Sequence, residues 1–503
     1  MICQSIYCSF FPMEKSRSNL DRLFNPRHLA LIGASSTPGK WGFFILLNII
    51  KGNFQGTLYP INARAKEALG YPCYARITDV PGPVDLAVIA TPAETVLGLI
   101  DECGAKQIPH LVVITSDFSE TGPEGAALER AVVEKARGYG IRLVGPNTMG
   151  LFSAQSGLHA LMPPVEPLKG PVSMFSQSGN IGTQILAWGV DAGIGFEKFV
   201  SSGNEGDLTC TDYLKYFTQD EATLVILAYL EGVDPDSGFL EAARQASRSK
   251  PVVVFKGGRT MAGTRAAASH SGALAGSYRI YQGVFRQTGL IEARTTQEIM
   301  DCTKALTVFP IPRGNRVAIL TRGGGWGVIT TDACEEAGLS VPPLPEELIK
   351  KLDHILPHYW SRNNPVDMAA VITAEPFIKC LEILTKWEGI DAVIALGGRA
   401  SIPGRVAGKP RIHEKLKDQE GLLKQIAARY QESHTRVMNQ TAALIQETGK
   451  PIISVTLGSQ DFHKESMEVY GLASYPTPER AVRVLRMLVD YGRYLSESDL
   501  GDQ

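Results

Sequence analysis

No apolar run in this 503-residue chain approaches the roughly 18 to 20 residues that a membrane-spanning helix needs. The nearest, Trp41 to Ile50, is interrupted by Gly42 and Asn48 and predicts a buried helix instead. Cysteine is sparse and scattered: Cys3, Cys8, Cys73, Cys103, Cys210, Cys302, Cys334 and Cys380 form no CxxC pair and no His/Cys cluster at ligand spacing. That argues against a disulfide scaffold and a zinc site, and it predicts a reducing, cytoplasmic setting with no bound metal. Neither sign of charge dominates, with 50 Lys and Arg against 52 Asp and Glu and a net charge of −2. Nucleic acid and anionic membranes are therefore not expected as partners. No GxxxxGK[ST] phosphate loop occurs. Residues 1–12 are apolar but carry no basic n-region and no clear cleavage site, so they do not read as a signal peptide. Met13 is an alternative start, followed by an ordinary soluble lead-in from Glu14 to Asn25.

What is present points to α/β architecture. One pattern, an apolar strand followed by a Gly/Ser loop and an apolar helix, opens at His28, at Pro171 and at Arg316. In each, glycines let a short β-branched strand turn tightly into a helix. Between them strand-like segments (84–90, 111–115, 224–229, 252–255 and 392–396) alternate with helix-like ones. Such alternation predicts three consecutive doubly wound parallel-sheet domains. The expected division is a lead-in over 1–20, domains over 21–151, 152–309 and 312–490, and a frayed tail over 491–503. Connectors are placed near 150–154 and in the proline-rich 309–315. The charged stretch from Arg405 to Arg436 has helical spacing and reads as a solvated helix pair within the third domain.

The first loop, Gly33 to Lys40, enters a helix N-terminus, where free N–H groups and the helix dipole favour phosphate. It does not have the compact GxGxxG spacing of a dinucleotide site. The next strand, 57–61, ends in Asn62-Ala63-Arg64, with no carboxylate to hold a ribose hydroxyl. That predicts a phosphorylated adenine carrier other than NAD, with Lys40 and Arg64 able to meet extra phosphate. A different chemistry is suggested at His270, which sits among Ala, Ser and Gly rather than in an apolar periodic pattern. Neutral imidazole is a competent nucleophile near pH 7, and small neighbours leave it approachable. The plainer alternative is an Ala/Gly loop that happens to contain a histidine.

Taken together, the chain resembles the NDP-forming acyl-CoA synthetases, which include the ADP-forming acetate–CoA ligases and, more distantly, succinyl-CoA synthetase. The resemblance spans about 23 to 488. It rests on nine segments in order: 33–40, 59–62, 84–94, 145–150, 176–182, 202–207, 229–232, 269–276 and 364–367. It implies a Rossmann-like CoA-binding domain followed by two flavodoxin-like ligase domains. Carried over by position, the CoA contacts would be Gly33, Ala34, Ser35, Ser36, Pro38, Gly39, Lys40, Asn62, Arg64, Thr91, Pro92, Ala93, Glu94 and Asn147. His270 would be the phosphorylated histidine and Glu231 the glutamate that fixes its tautomer, with Glu205 a weaker second candidate. Two helix starts would steady the phosphoryl group, one at Ser176, Gln177, Ser178, Gly179 and Asn180, the other at Gly323, Gly324, Gly325, Trp326 and Gly327. Each helix end would offset about 0.3 to 2 kcal/mol of its charge.

The resemblance further implies a small carboxylic acid substrate, and ATP/ADP with Mg2+ bound mainly on an ATP-grasp β subunit, in an α2β2 assembly. No stretch of the three predicted domains is left over for an ATP-grasp module. Two positions depart from the family pattern: Ala63 stands where a proline is frequent, and Ala369-Ala370 where a glycine is. The competing readings are a non-catalytic CoA-binding or acyl-CoA-sensing protein on this scaffold, and a nicotinamide dehydrogenase. The second is disfavoured by the missing carboxylate after the second strand.

Overall fold

The computed structural model describes residues 20–271, 277–369, 371, 373–397, 420–456 and 460–501. Three sheets account for nearly all the strands, and they share one topology. The first runs Thr57–Ile61, His28–Ile32, Leu86–Ile89, His110–Val113, Arg142–Val144, all parallel. Its first strand therefore lies between the second and the third. Alternation along these strands feeds two cores. Leu29 and Leu31 face one, with Ile45, Leu46 and Ile49 of helix Trp41–Lys51, while Ala30 and Ile32 face the other, with Val96 and Ile100 of helix Ala93–Ala105.

The second sheet repeats the order with Phe196–Ser201, Lys169–Ser176, Val225–Leu230, Val252–Lys256 and Ile291–Ala293. Beyond Phe196–Ser201 it gains an antiparallel hairpin, Gly150–Ser153 with Leu158–Leu161. The stretch at 150–154, expected to be a connector, is thus a strand of the second sheet. Its side chains explain this: Leu151, Phe152, Leu158 and Leu161 are fully buried. Asn48 of the first domain's helix donates to the carbonyls of Leu161 and Pro163. One apolar cluster also runs from Leu29 and Leu31 through Leu151 to Phe175 and Phe217. The first two sheets accordingly form one compact unit, and the second unit, from Lys304 onward, carries the third sheet.

That sheet runs Val366–Asp367, Val317–Thr321, Ala392–Leu396, Ile452–Val455, Ser474–Tyr475, again parallel and again with its first strand inside. Two expectations change here. Residues 420–436 of the charged stretch lie in a single long helix, Glu420–Thr448, with Val437, Met438, Thr441, Leu444 and Ile445 buried along one stripe; 405–419 lie outside the described residues. Residues 491–501 of the predicted tail continue helix Pro478–Gly501, because Val482, Leu485, Leu488, Val489 and Tyr491 carry on an apolar face; 502–503 lie outside the described residues. Ala369 adopts φ 48, the left-handed backbone that glycine favours. Among the described residues no helix is long and apolar enough to cross a membrane.

Candidate active site

In an open parallel sheet, ligands bind beyond the carboxyl ends of the strands, where neighbouring connections run to opposite faces. With the observed order that point lies between the first and third strands of each sheet. All three glycine loops open there.

In the first sheet, the turn after His28–Ile32 meets the turn after Leu86–Ile89. Gly33 has φ 96, and a Cβ on it would lie 2.6 Å from the carbonyl of Ala90 and 3.0 Å from Thr91. Only glycine lets the two turns approach so closely. Asn62 arrives from the adjacent strand end and braces both sides: its Nδ2 donates to the Ala34 carbonyl at 2.7 Å, and its Oδ1 accepts from Arg64 N at 2.8 Å. Ser35 is buried and its hydroxyl accepts from Thr37 N, while Ser36 accepts from Leu69 N. Pro38, Gly39, Lys40 and Arg64 are exposed. Across the crevice Pro92 and Glu94 are exposed, Ala93 is buried and Thr91 hydrogen-bonds Thr95. Asn147, with φ 57, ties the neighbouring turn to Thr115 through its N–H. The fourteen positions expected to contact CoA thus fall on strand-end turns of this sheet. Exposed Trp41, at the helix start beside Lys40, was not anticipated.

In the second sheet, Ser176 ends one of two neighbouring central strands and Glu231 directly follows the other, Val225–Leu230. Helix Gly179–Ala192 starts between them. Its glycines are demanded by contact, since a Cβ on Gly179 would lie 2.3 Å from Met149 and one on Gly182 2.7 Å from Phe199. Glu231 is 6% exposed, and Tyr229 Oη donates to its Oε1 at 3.3 Å. The side chain of Gln177, a residue expected to contact phosphate, clamps this turn. Its Oε1 accepts from Glu231 N at 2.6 Å and Gly232 N at 3.1 Å, and its Nε2 donates to Gly232 O at 2.7 Å. Ser176 is fully buried with its hydroxyl committed to the Ser178 carbonyl, so it too acts within the turn. Ser178 Oγ accepts from Ile181 N as a helix cap, and Asn180 is exposed. Glu205, in left-handed backbone, accepts from Ser202 Oγ at 2.7 Å, and desolvation pushes its carboxyl up to about 7.

His270 lies on the last turn of helix Met261–Ser271, which follows the Val252–Lys256 strand next to Glu231's strand. The stretch is therefore helical where a loop was the plainer alternative; the His270 side chain and 272–276 lie outside the described residues. The helix runs beside the Ser119–Thr121 turn of the first domain.

The third turn belongs to the other unit. Helix Gly324–Glu336 starts after Gly323, whose N–H donates to Thr321 Oγ1. Gly325 and Trp326 are exposed there, and Gly327 packs against Pro365 and Thr321. Arg322, not anticipated from sequence, stands 5.0 Å over the Phe377 ring, its buried Nε without a hydrogen-bond partner among the described residues.

Comparison with known proteins agrees with this arrangement. A family model described as a CoA binding domain matches residues 27–154, and one described as a succinyl-CoA ligase like flavodoxin domain matches 169–306. The chain is 34% identical to acetate–CoA ligase [ADP-forming] I subunit alpha of Pyrococcus furiosus, over 95% of this chain and 98% of that one. It belongs to the ADP-forming acetate–CoA ligase family. A solved structure within that family's fold, the dinucleotide forming acetyl-coenzyme A synthetase 1 of Ca. Korarchaeum cryptofilum in complex with phosphate and ADP, superposes with a TM-score of 0.83 at 36% identity. The match covers 96% of this chain and 99% of that one. Some ligases of the family are longer single chains: acetate–CoA ligase [ADP-forming] I of Archaeoglobus fulgidus is 42% identical over 75% of this chain but only 54% of its own length. The chain thus spans about half of that relative and nearly all of the α subunit.

Proposed function

We propose that this chain is the α subunit of an ADP-forming acyl-CoA synthetase that carries phosphoryl on His270. The observation that carries the reading is the buried Glu231 carboxylate, held at the crevice of the second sheet beside a helix start and one strand away from the His270 helix. A carboxylate accepting one imidazole N–H leaves the other ring nitrogen as the nucleophile.

The chemistry balances in three reversible steps. A phosphate oxygen attacks the thioester carbonyl of acyl-CoA, and the CoA thiolate leaves to give an acyl phosphate. The His270 nitrogen then attacks phosphorus and the carboxylic acid departs as its anion. Phosphohistidine finally passes its phosphoryl group to the terminal oxygen of ADP, forming ATP. CoA binds at the first crevice, where Lys40 and Arg64 supply positive charge and the Trp41–Lys51 helix start supplies N–H donors. The N-terminus of helix Gly179–Ala192 faces the same chemistry from the second sheet, and Gly323–Gly327 offers a second helix start of the same kind.

Among the described residues no three His, Cys, Asp or Glu side chains converge as a metal site would require. We assign Mg2+ and nucleotide to an ATP-grasp β subunit, in an α2β2 assembly. The relatives named as α subunits, matched over 98% of their length, support a separate partner. Incubation with acetyl-CoA and radiolabelled phosphate should give acid-labile, base-stable label on the chain. His270→Asn should remove it completely, with acetyl-CoA binding retained; label surviving that change sinks the assignment.

A further inference from the structure

A lysine that none of these steps uses lies directly under Glu231. Lys256 ends the Val252–Lys256 strand, paired in register with Leu230, and is 2% exposed. A lysine is seldom so buried without a purpose for its charge. Its Nζ donates to the Glu231 carbonyl at 2.7 Å and to the Gly257 carbonyl at 2.5 Å, and it stands 4.6 Å from the centre of the Tyr281 ring. Tyr281 Oη in turn accepts from Val233 N at 3.0 Å. The main chain from Glu231 to Val233 is thus gripped from three elements, by Gln177, Lys256 and Tyr281. Two carbonyls and an aromatic face are the surroundings an ammonium ion requires, and a neutral amine would satisfy them far less well.

We propose that Lys256 is a positioning residue for phosphoryl transfer: its ammonium pins the turn that presents Glu231, so that this carboxylate is held where it can accept the imidazole N–H. The inference rests on the phosphohistidine reading above. Burial outweighs the attraction of Glu231 and lowers Lys256 to about 8, so the clamp loses its charge in the mildly alkaline range. The other groups facing it are Glu231 and Tyr229 on the neighbouring strand, Tyr281 on helix Tyr278–Thr288, and Cys210 near Tyr281. Burial raises Tyr229, Tyr281 and Cys210, leaving all three neutral over that range. Glu205, reached through Gln177, titrates near 7 and would shape a lower limb instead.

The test follows phosphoenzyme formation from acetyl-CoA and labelled phosphate between pH 6 and 10, in wild type, Lys256→Met and Lys256→Arg. We expect the wild-type rate to fall above pH 8. At pH 7 Lys256→Met should be slowed at least tenfold with KM for acetyl-CoA within twofold, and should show no limb at pH 8. Lys256→Arg should recover part of the rate and hold it beyond pH 9. A Lys256→Met enzyme with wild-type rate and an intact limb overturns the proposal, as does a wild-type rate that is flat from pH 7 to 9.5, which needs no variant to fold. Wild type that takes up no label overturns the phosphohistidine reading itself, and this inference with it.

Discussion

Glu205 holds an unusual carboxylate: half-buried, on left-handed backbone, with Ser202 Oγ as its close donor. Desolvation raises it from about 4.5 to about 7. The folded protein therefore binds a proton that the unfolded chain has released between those two values. Its contribution to stability is fully present below about pH 4.5 and is lost as the pH rises through 7. Glu205→Gln should match wild type near pH 5 and exceed it at pH 8 by on the order of 2 kcal/mol, discounted for partial exposure. Urea midpoints at the two pH values measure this, and equal wild-type midpoints would contradict it. Lys256 and Glu205 mark two limits of reading single residues. A lysine closing an apolar strand, Val252-Val253-Val254-Phe255-Lys256, is visible in sequence, but its carbonyl and ring partners come from segments up to 25 residues away. Gln177 and Ser176 were legible as site residues, whereas their work within the turn depends on distances that no spacing encodes.

Among the connecting elements, the Ser202–Asp207 loop binds the second sheet to the first. Asp207 is buried; it accepts from Arg137 Nε at 3.0 Å, Arg142 Nε at 2.9 Å and Leu143 N at 3.0 Å, and these donors hold it below the usual carboxylate range despite desolvation. Gly203 lets the loop pass against Pro146, where a Cβ would come within 2.2 Å of the carbonyl oxygen. Asn204 Nδ2 reaches Ser119, Glu120 and Glu129 on the first domain. Asp207→Asn should cost about 2 kcal/mol, since a buried acceptor of three donors loses its charge. Chemical denaturation followed by tryptophan fluorescence would show it, and a change under about 0.5 kcal/mol would mean the loop is not a fastening. The glycine turns and central strands were readable because local pattern, glycine placement and topology coincide there. The 150–161 hairpin was not, because its strands are short and only their burial against the other sheet makes them strands. The Pro478–Gly501 helix was missed for the opposite reason: its polar final turns resemble a tail unless the apolar stripe through Tyr491 is followed.

At the scale of the whole molecule, the three glycine turns are divided between two compact units. Ligand that binds only the native first unit stabilises that unit by mass action, about 2.7 kcal/mol at a hundredfold excess over Kd. CoA should therefore shift the melting of the unit holding the first two sheets by several degrees, while NAD at the same concentration leaves it unmoved. Calorimetry with each ligand distinguishes a CoA crevice from a dinucleotide site, and equal shifts would remove the first crevice from the proposal.

The shared strand order also bears on how the chain is made. Synthesis proceeds from the N-terminus at about 5 to 20 residues per second, and domains fold as they emerge. In the first sheet the strand before the glycine turn is translated first and its two neighbours next, so both strands walling that crevice have left the ribosome by Ile89; in the second sheet the 150–161 hairpin comes first, and both walling strands are out by Leu230. The strands that arrive later still contribute to the proposed sites: Asn147 follows Arg142–Val144, and the His270 helix follows Val252–Lys256. On the proposed reading, a nascent chain would thus have the walls of its pantetheine-carrier pocket well before those of its phosphoryl-relay pocket.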